Sequence, residues 1–151
     1  MRTAIIPLLL LPAAALADDW APTAEQTAVY KALSVHEPAP TCDQVEALAA
    51  EPAATLRVVI ERATMPPWAP MRAAHCLVTN HPTEARADML AWVGSEQTRG
   101  LAILAIGQLE TMPEAIALEV ATAALAGPLE SAARERLVDS EVDVLRELVA
   151  K

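Results

Sequence analysis

The run TRGLAILAIGQLETMPEAIALEVATAAL, residues 98–125, decides the fold. Its first part, LAILAIGQL (101–109), has one strongly polar side chain, Gln108. AIALEVATAALA (115–126) has one charge, Glu119. A helix that is apolar nearly all round has to be sandwiched between other helices, because a surface position would leave half of that area in water. Between the two segments stands Thr111-Met112-Pro113-Glu114, which combines a Thr-x-x-Glu capping box with a proline where a second helix would begin. Ala102, Ala105, Gly107, Ala121 and Ala124 are small enough to let neighbouring helices approach closely. The stretch is therefore expected to form a helix–turn–helix pair lying between similar pairs.

The flanking sequence follows the same rule. Alanine and leucine dominate, Phe is absent, and β-branched alternation is scarce, so the composition favours helix. Prolines at 38, 40, 52, 66, 67, 70, 82, 113 and 128 divide the chain into pieces about one helix long, since proline fits the first helical turn and is costly further in. Thr23-x-x-Gln26 and Thr41-x-x-Gln44 are further capping boxes, and Ser140-x-x-Asp143 is a weaker one. These signals predict helices near 23–35, 41–50, 52–63, 68–80, 82–93, 96–109, 112–126, 128–138 and 140–150. The connections between them are short, so consecutive helices should lie antiparallel.

The chain is also self-similar. Met71-Arg72-Ala73-Ala74-His75-Cys76-Leu77 aligns with Thr98-Arg99-Gly100-Leu101-Ala102-Ile103-Leu104, an offset of 27 residues. Each segment is followed by a turn, a proline and a second helix, and a third unit runs from Ser131 through Arg134 to Leu148. A period in this range signals stacked units that bury a continuous core only by stacking. In this pattern residues 98–125 resemble the HEAT-repeat family, with Arg99, Ala102, Ala105, Ile106 and Gly107 at the arginine, alanine, apolar and glycine positions. The first unit departs from the pattern, carrying Val78-Thr79-Asn80 where a glycine-containing end would stand. The resemblance implies an all-α fold of stacked antiparallel helix pairs, a short HEAT-like α-solenoid. Residues 18–66 would form N-terminal helices capping the stack, and residues 67–151 the repeats, all in one domain. Across that family the usual role is protein binding on an extended surface.

Residues 1–17, MRTAIIPLLLLPAAALA, place Arg2 before an apolar run from Ala4 to Leu11 and end in Ala15-Leu16-Ala17. That order predicts a secretory signal peptide cleaved before Asp18. The run is too short for a membrane anchor, which needs about 20 residues, and Pro7 and Pro12 weaken that reading further. The expected location is periplasmic or secreted. Losing Arg2 shifts the formal charge from −9 to −10. Such a surface disfavours nucleic acid, whose binding rests on Lys and Arg contacts to phosphate, and no membrane insertion is expected after cleavage. Cys42 and Cys76 are the only cysteines. In an oxidising compartment an isolated pair is expected to form a disulfide.

The motif content points away from chemistry. His75 and Cys76 are adjacent, hence about 100° apart on a helix, and His81 lies past the expected helix end, so MRAAHCLVTNHP (71–82) lacks zinc-ligand spacing. A composite of His36, Cys42, His75 and Cys76 would need free thiols. No nucleophile elbow surrounds any serine, no glycine-rich phosphate loop exists, and Glu135 near Asp139 has the look of solvated surface. Trp20 and Trp68 are the candidate partner-binding residues, because aromatic side chains anchor interfaces; structural packing is the competing role for both. Trp92, one turn from Met89, is assigned to the core. Arg72 and Arg99, at equivalent repeat positions, are expected to form salt bridges within the helix stack. The sequence thus leads to a non-enzymatic protein-binding or assembly module without cofactor or metal. The rival readings are a small metal- or thiol-handling protein and an enzyme subunit.

Overall fold

A computed structural model describes residues 20–150, so the signal-peptide segment 1–17 lies outside the described residues. The fold is all-α. The helices are α1 (Ala24–Ser34), α2 (Cys42–Glu46), α3 (Pro52–Arg62), α4 (Trp68–Asn80), α5 (Pro82–Val93), α6 (Arg99–Gly107), α7 (Glu114–Ala126), α8 (Glu130–Val138) and α9 (Asp143–Arg146). Single 3₁₀ turns at Glu96–Thr98 and Leu109–Thr111 flank α6. Among the described residues no helix is long and apolar enough to cross a membrane.

Local chemistry accounts for the starts of α1, α2, α3 and α5. Thr23 Oγ1 accepts from Gln26 N at 3.2 Å while Gln26 Oε1 accepts from Thr23 N at 3.0 Å, and Thr41 with Gln44 repeats the exchange at α2. Pro52 and Pro82 open α3 and α5 in their first turn, where no N–H is needed. His81 closes α4 and opens α5, accepting from Ala85 N through its carbonyl.

Four local expectations need correction. Thr111 does not cap α7: it belongs to the 3₁₀ turn, its hydroxyl donates to the Gln108 carbonyl at 2.8 Å, and Pro113 takes the N-cap position. Ser140 likewise makes a tight local bond, accepting from Val142 N at 3.2 Å, instead of a capping box. α2 stops at Glu46, short of the expected residue 50: the chain turns out of it through i→i+3 bonds from Leu48 N to the Val45 carbonyl and from Ala49 N to the Glu46 carbonyl (both 3.1 Å), before Glu51 at φ −121°, ψ 80° leads into Pro52. α9 is also much shorter than the expected 140–150.

The helices pack in two interleaved series. α4, α6 and α8 touch in succession, as do α5, α7 and α9, and α5 also contacts α4 and α6. α1 packs on α3 and α4, closing the N-terminal side. The apolar runs of α6 and α7 supply Ala102, Ala105, Val120, Ala121 and Ala124, each fully buried, as close packing between neighbours requires. Leu77, Met89, Leu109 and Leu137 are equally buried along the stack, each worth about 1.5–3 kcal/mol of apolar transfer. Trp92 is 8 % exposed and joins the core with Met89. Cys42 and Cys76 form a disulfide that ties α2 to α4, with Cα atoms 5.1 Å apart.

The salt bridges between helices are not made by the expected arginines. Arg72 donates to the carbonyls of Leu33 (3.1 Å), Val35 and His36 (3.1 Å), satisfying the open end of α1. Arg99 pairs with Glu96 in its own turn at 2.8 Å. The bridging role falls to Arg57 of α3 with Asp88 of α5 (2.8 Å), and to Arg86 of α5 with Glu119 of α7.

The buried faces of α4 and α6 correspond at an offset of 28 residues, one more than the sequence match. At an offset of 27, buried Cys76 would match Ile103, which is 48 % exposed. At an offset of 28, Ala74, Leu77 and Val78 match Ala102, Ala105 and Ile106, all buried, while exposed His75 and Thr79 match exposed Ile103 and Gly107. The orientation of α4 is fixed by tertiary contact, since Cys76 must face Cys42.

Candidate functional site

α6 and α8 touch along part of their length and leave a groove between them of about 470 Å³. From α6 it is lined by Arg99, Ile103, Ile106 and Gly107, which recur at helical spacing and so share one face. From α8 and its C-cap it is lined by Ala132, Glu135, Arg136 and Asp139, again one face. The floor is apolar and the edges are charged. Ile103 projects in mid-helix with nearly half its surface open, in a segment whose other aliphatic side chains are buried or half-buried. Beside it, a Cβ placed on Gly107 would meet nothing within 4 Å. The expectation that Gly107 serves a close helix approach is therefore corrected: it faces the open groove.

The charges along the groove divide into two kinds. Arg99 is neutralised by Glu96, and Arg136 by Glu110 at 3.1 Å. Glu110 is further held by hydrogen bonds from the Ser140 side chain and from Glu141 N (3.2 Å), which keep its pKa below the usual carboxylate value despite partial burial. The Glu135 and Asp139 carboxylates have no partner among the described residues. Pairing thus removes both positive charges from play and leaves two carboxylates unopposed.

The residues singled out from sequence lie elsewhere. Trp20 is half-buried, its ring edge-on to Tyr30 with centroids 5.5 Å apart, and its Nε1 is buried without a hydrogen-bond partner among the described residues. Trp68 is half-buried too, edge-on to His36 at 5.3 Å, and its Nε1 donates to the Ser34 carbonyl at 3.3 Å. Trp68 therefore ties α4 to the end of α1, while Trp20 packs the segment before α1 against Tyr30 of that helix. His75 is exposed on α4, and His81 Nε2 lies 3.2 Å from Glu46 Oε1 at the α4–α5 junction. The disulfide takes both sulfurs away as ligands, and no group of three His, Cys, Asp or Glu side chains among the described residues could hold a metal ion.

Sequence reasoning missed Ile103; it named Glu135 near Asp139 and took the pair as solvated surface, and both are exposed, but it did not place them beside an apolar groove. Ile103 was indistinguishable from its buried neighbours, because a helix apolar all round gives no sign of which side is left open. Comparisons with known proteins found no match to any family model, curated protein or solved structure.

Proposed function

We propose that this chain is an exported, non-enzymatic helical-repeat protein of HEAT-like, short α-solenoid type that binds another protein through the groove between α6 and α8. The observation that carries this reading is Ile103, a β-branched aliphatic side chain 48 % exposed beside Gly107 over an apolar floor. Burying such a side chain against a partner is worth on the order of 1 kcal/mol, and a central apolar anchor with a charged edge is the usual anatomy of an interface. The two interleaved helix series support the solenoid reading, since stacked repeats present such faces on a rigid scaffold.

The test is site-specific photocrosslinking in the source organism, with benzoylphenylalanine in place of Ile103 and, as control, in place of the exposed Glu61 on α3. Irradiation should give a discrete higher-mass adduct from position 103 alone, on a protein whose intact mass begins at Asp18. The same adducts from both positions, or none from position 103, would overturn the reading.

A further inference from the structure

The groove also carries information about what would fill it. The reasoning here rests on the reading of the α6–α8 groove as a docking surface. Its lining holds two arginines and two carboxylates, but the arginines are engaged by Glu96 and Glu110. Counting those partners, the local formal charge is negative. Glu135 and Asp139 are four residues apart on one face of α8, hence roughly 6 Å from each other. Lys or Arg side chains one turn apart on an opposing helix have the same spacing. The apolar side chains next to these carboxylates, Ile103 and Ile106, lie along α6 at positions separated by three residues, the repeat of an apolar helix face. The chain as a whole bears a formal charge of −9, which steers cations towards it.

We infer that the occupant is a cationic amphipathic helical segment of a partner protein. Its apolar face covers Ile103 and Gly107, and Lys or Arg residues one turn apart meet Glu135 and Asp139. The open space over Gly107 gives a partner side chain room to approach the α6 backbone.

The probes are three synthetic 14-residue peptides: a Leu/Lys sequence with leucines at i, i+3, i+4 and i+7, its scrambled isomer, and a Leu/Glu analogue of the first. Binding is followed by calorimetry and by amide chemical shifts of the full mature chain. The patterned Leu/Lys peptide should bind most tightly and shift the amides of α6 and α8. The pair Glu135→Gln/Asp139→Asn should weaken it about tenfold, as expected for two solvent-accessible ion pairs, and added salt should reduce the difference. The pair Glu61→Gln/Glu84→Gln, with the same change in net charge on exposed positions of α3 and α5, should weaken it less than twofold. Equal losses from the two pairs, or equal binding of the scrambled isomer or the Leu/Glu peptide, would overturn the inference. A crosslinked adduct at position 103 that persists undiminished in Glu135→Gln/Asp139→Asn would overturn the cationic occupant while leaving the docking surface in place.

Discussion

Gly127 and Gly107 should respond in opposite directions to the same substitution. Gly127 follows α7 with φ −107° and ψ −171°, an extended conformation open to any residue, so backbone freedom does not explain the glycine. Space does. A Cβ there would stand 2.9 Å from the Val93 carbonyl oxygen at the end of α5 and 3.1 Å from the Ala123 carbonyl oxygen. Both neighbours are backbone, so no rotamer change relieves the contacts; the end of α5 must draw back by roughly half an ångström and the last turn of α7 must adjust as well, and overpacking of this kind costs about 1–3 kcal/mol. Gly→Ala also removes unfolded-chain entropy worth about 0.4–1 kcal/mol, leaving Gly127→Ala a net loss of about 1–2 kcal/mol. Gly107→Ala keeps the entropic gain without the clash and should stabilise by about 0.5 kcal/mol. Equilibrium urea unfolding of the oxidised protein, read by circular dichroism, measures both. Gly127→Ala as stable as the parent would show that the α5–α7 contact is looser than described. A destabilised Gly107→Ala would refute the open groove beside Ile103.

Two further outcomes follow from the same geometry. Replacing Cys42 and Cys76 with alanine removes a cross-link between positions 34 apart, which in the chain-entropy model costs about 3–4 kcal/mol; urea unfolding with and without reductant should show the loss in the parent and no reductant effect in the variant. Ser140→Ala should raise the Glu110 pKa, measured by carboxyl NMR titration, since the Ser140 hydrogen bond is the first cause of its depression. A carboxylate depressed in the folded state contributes stability above its unfolded pKa of about 4.3 and loses it as pH falls through the folded value. The stability gap between parent and variant should therefore be largest near neutrality and narrow in acid, down to a pH-independent remainder from the Val142 N–H bond to Ser140. An unmoved Glu110 titration would refute the assignment.

The sequence by itself determined the elements. Thr23, Thr41, Pro52 and Pro82 act on their own backbone neighbours within one turn, so their effect is readable without knowing what packs nearby. The apolar character of α6 and α7 called for neighbours on more than one side, and each packs against several helices, although α6 keeps one face open at Ile103. The disulfide was legible too, because two cysteines allow one pairing. Thr111 shows where local reading stops: the same four residues suit a capping box or a 3₁₀ turn, and the chain takes the turn.

Tertiary structure alone decided which side of each helix meets water. Ile103 and Ile106 are the same residue type three positions apart, yet one is 48 % exposed and the other 3 %, because only the placement of α8 determines where α6 is left uncovered. The arginines follow the same logic. Arg72 ends on carbonyls of α1 and its following loop, Arg99 on its own turn, and Arg57 and Arg86 bridge helices, according to what lies within reach of a long side chain after packing. Helix boundaries depend on interactions between residues a few positions apart, whereas exposure, pairing and the α6–α8 groove depend on residues some thirty positions apart, and that distance is closed only by the fold.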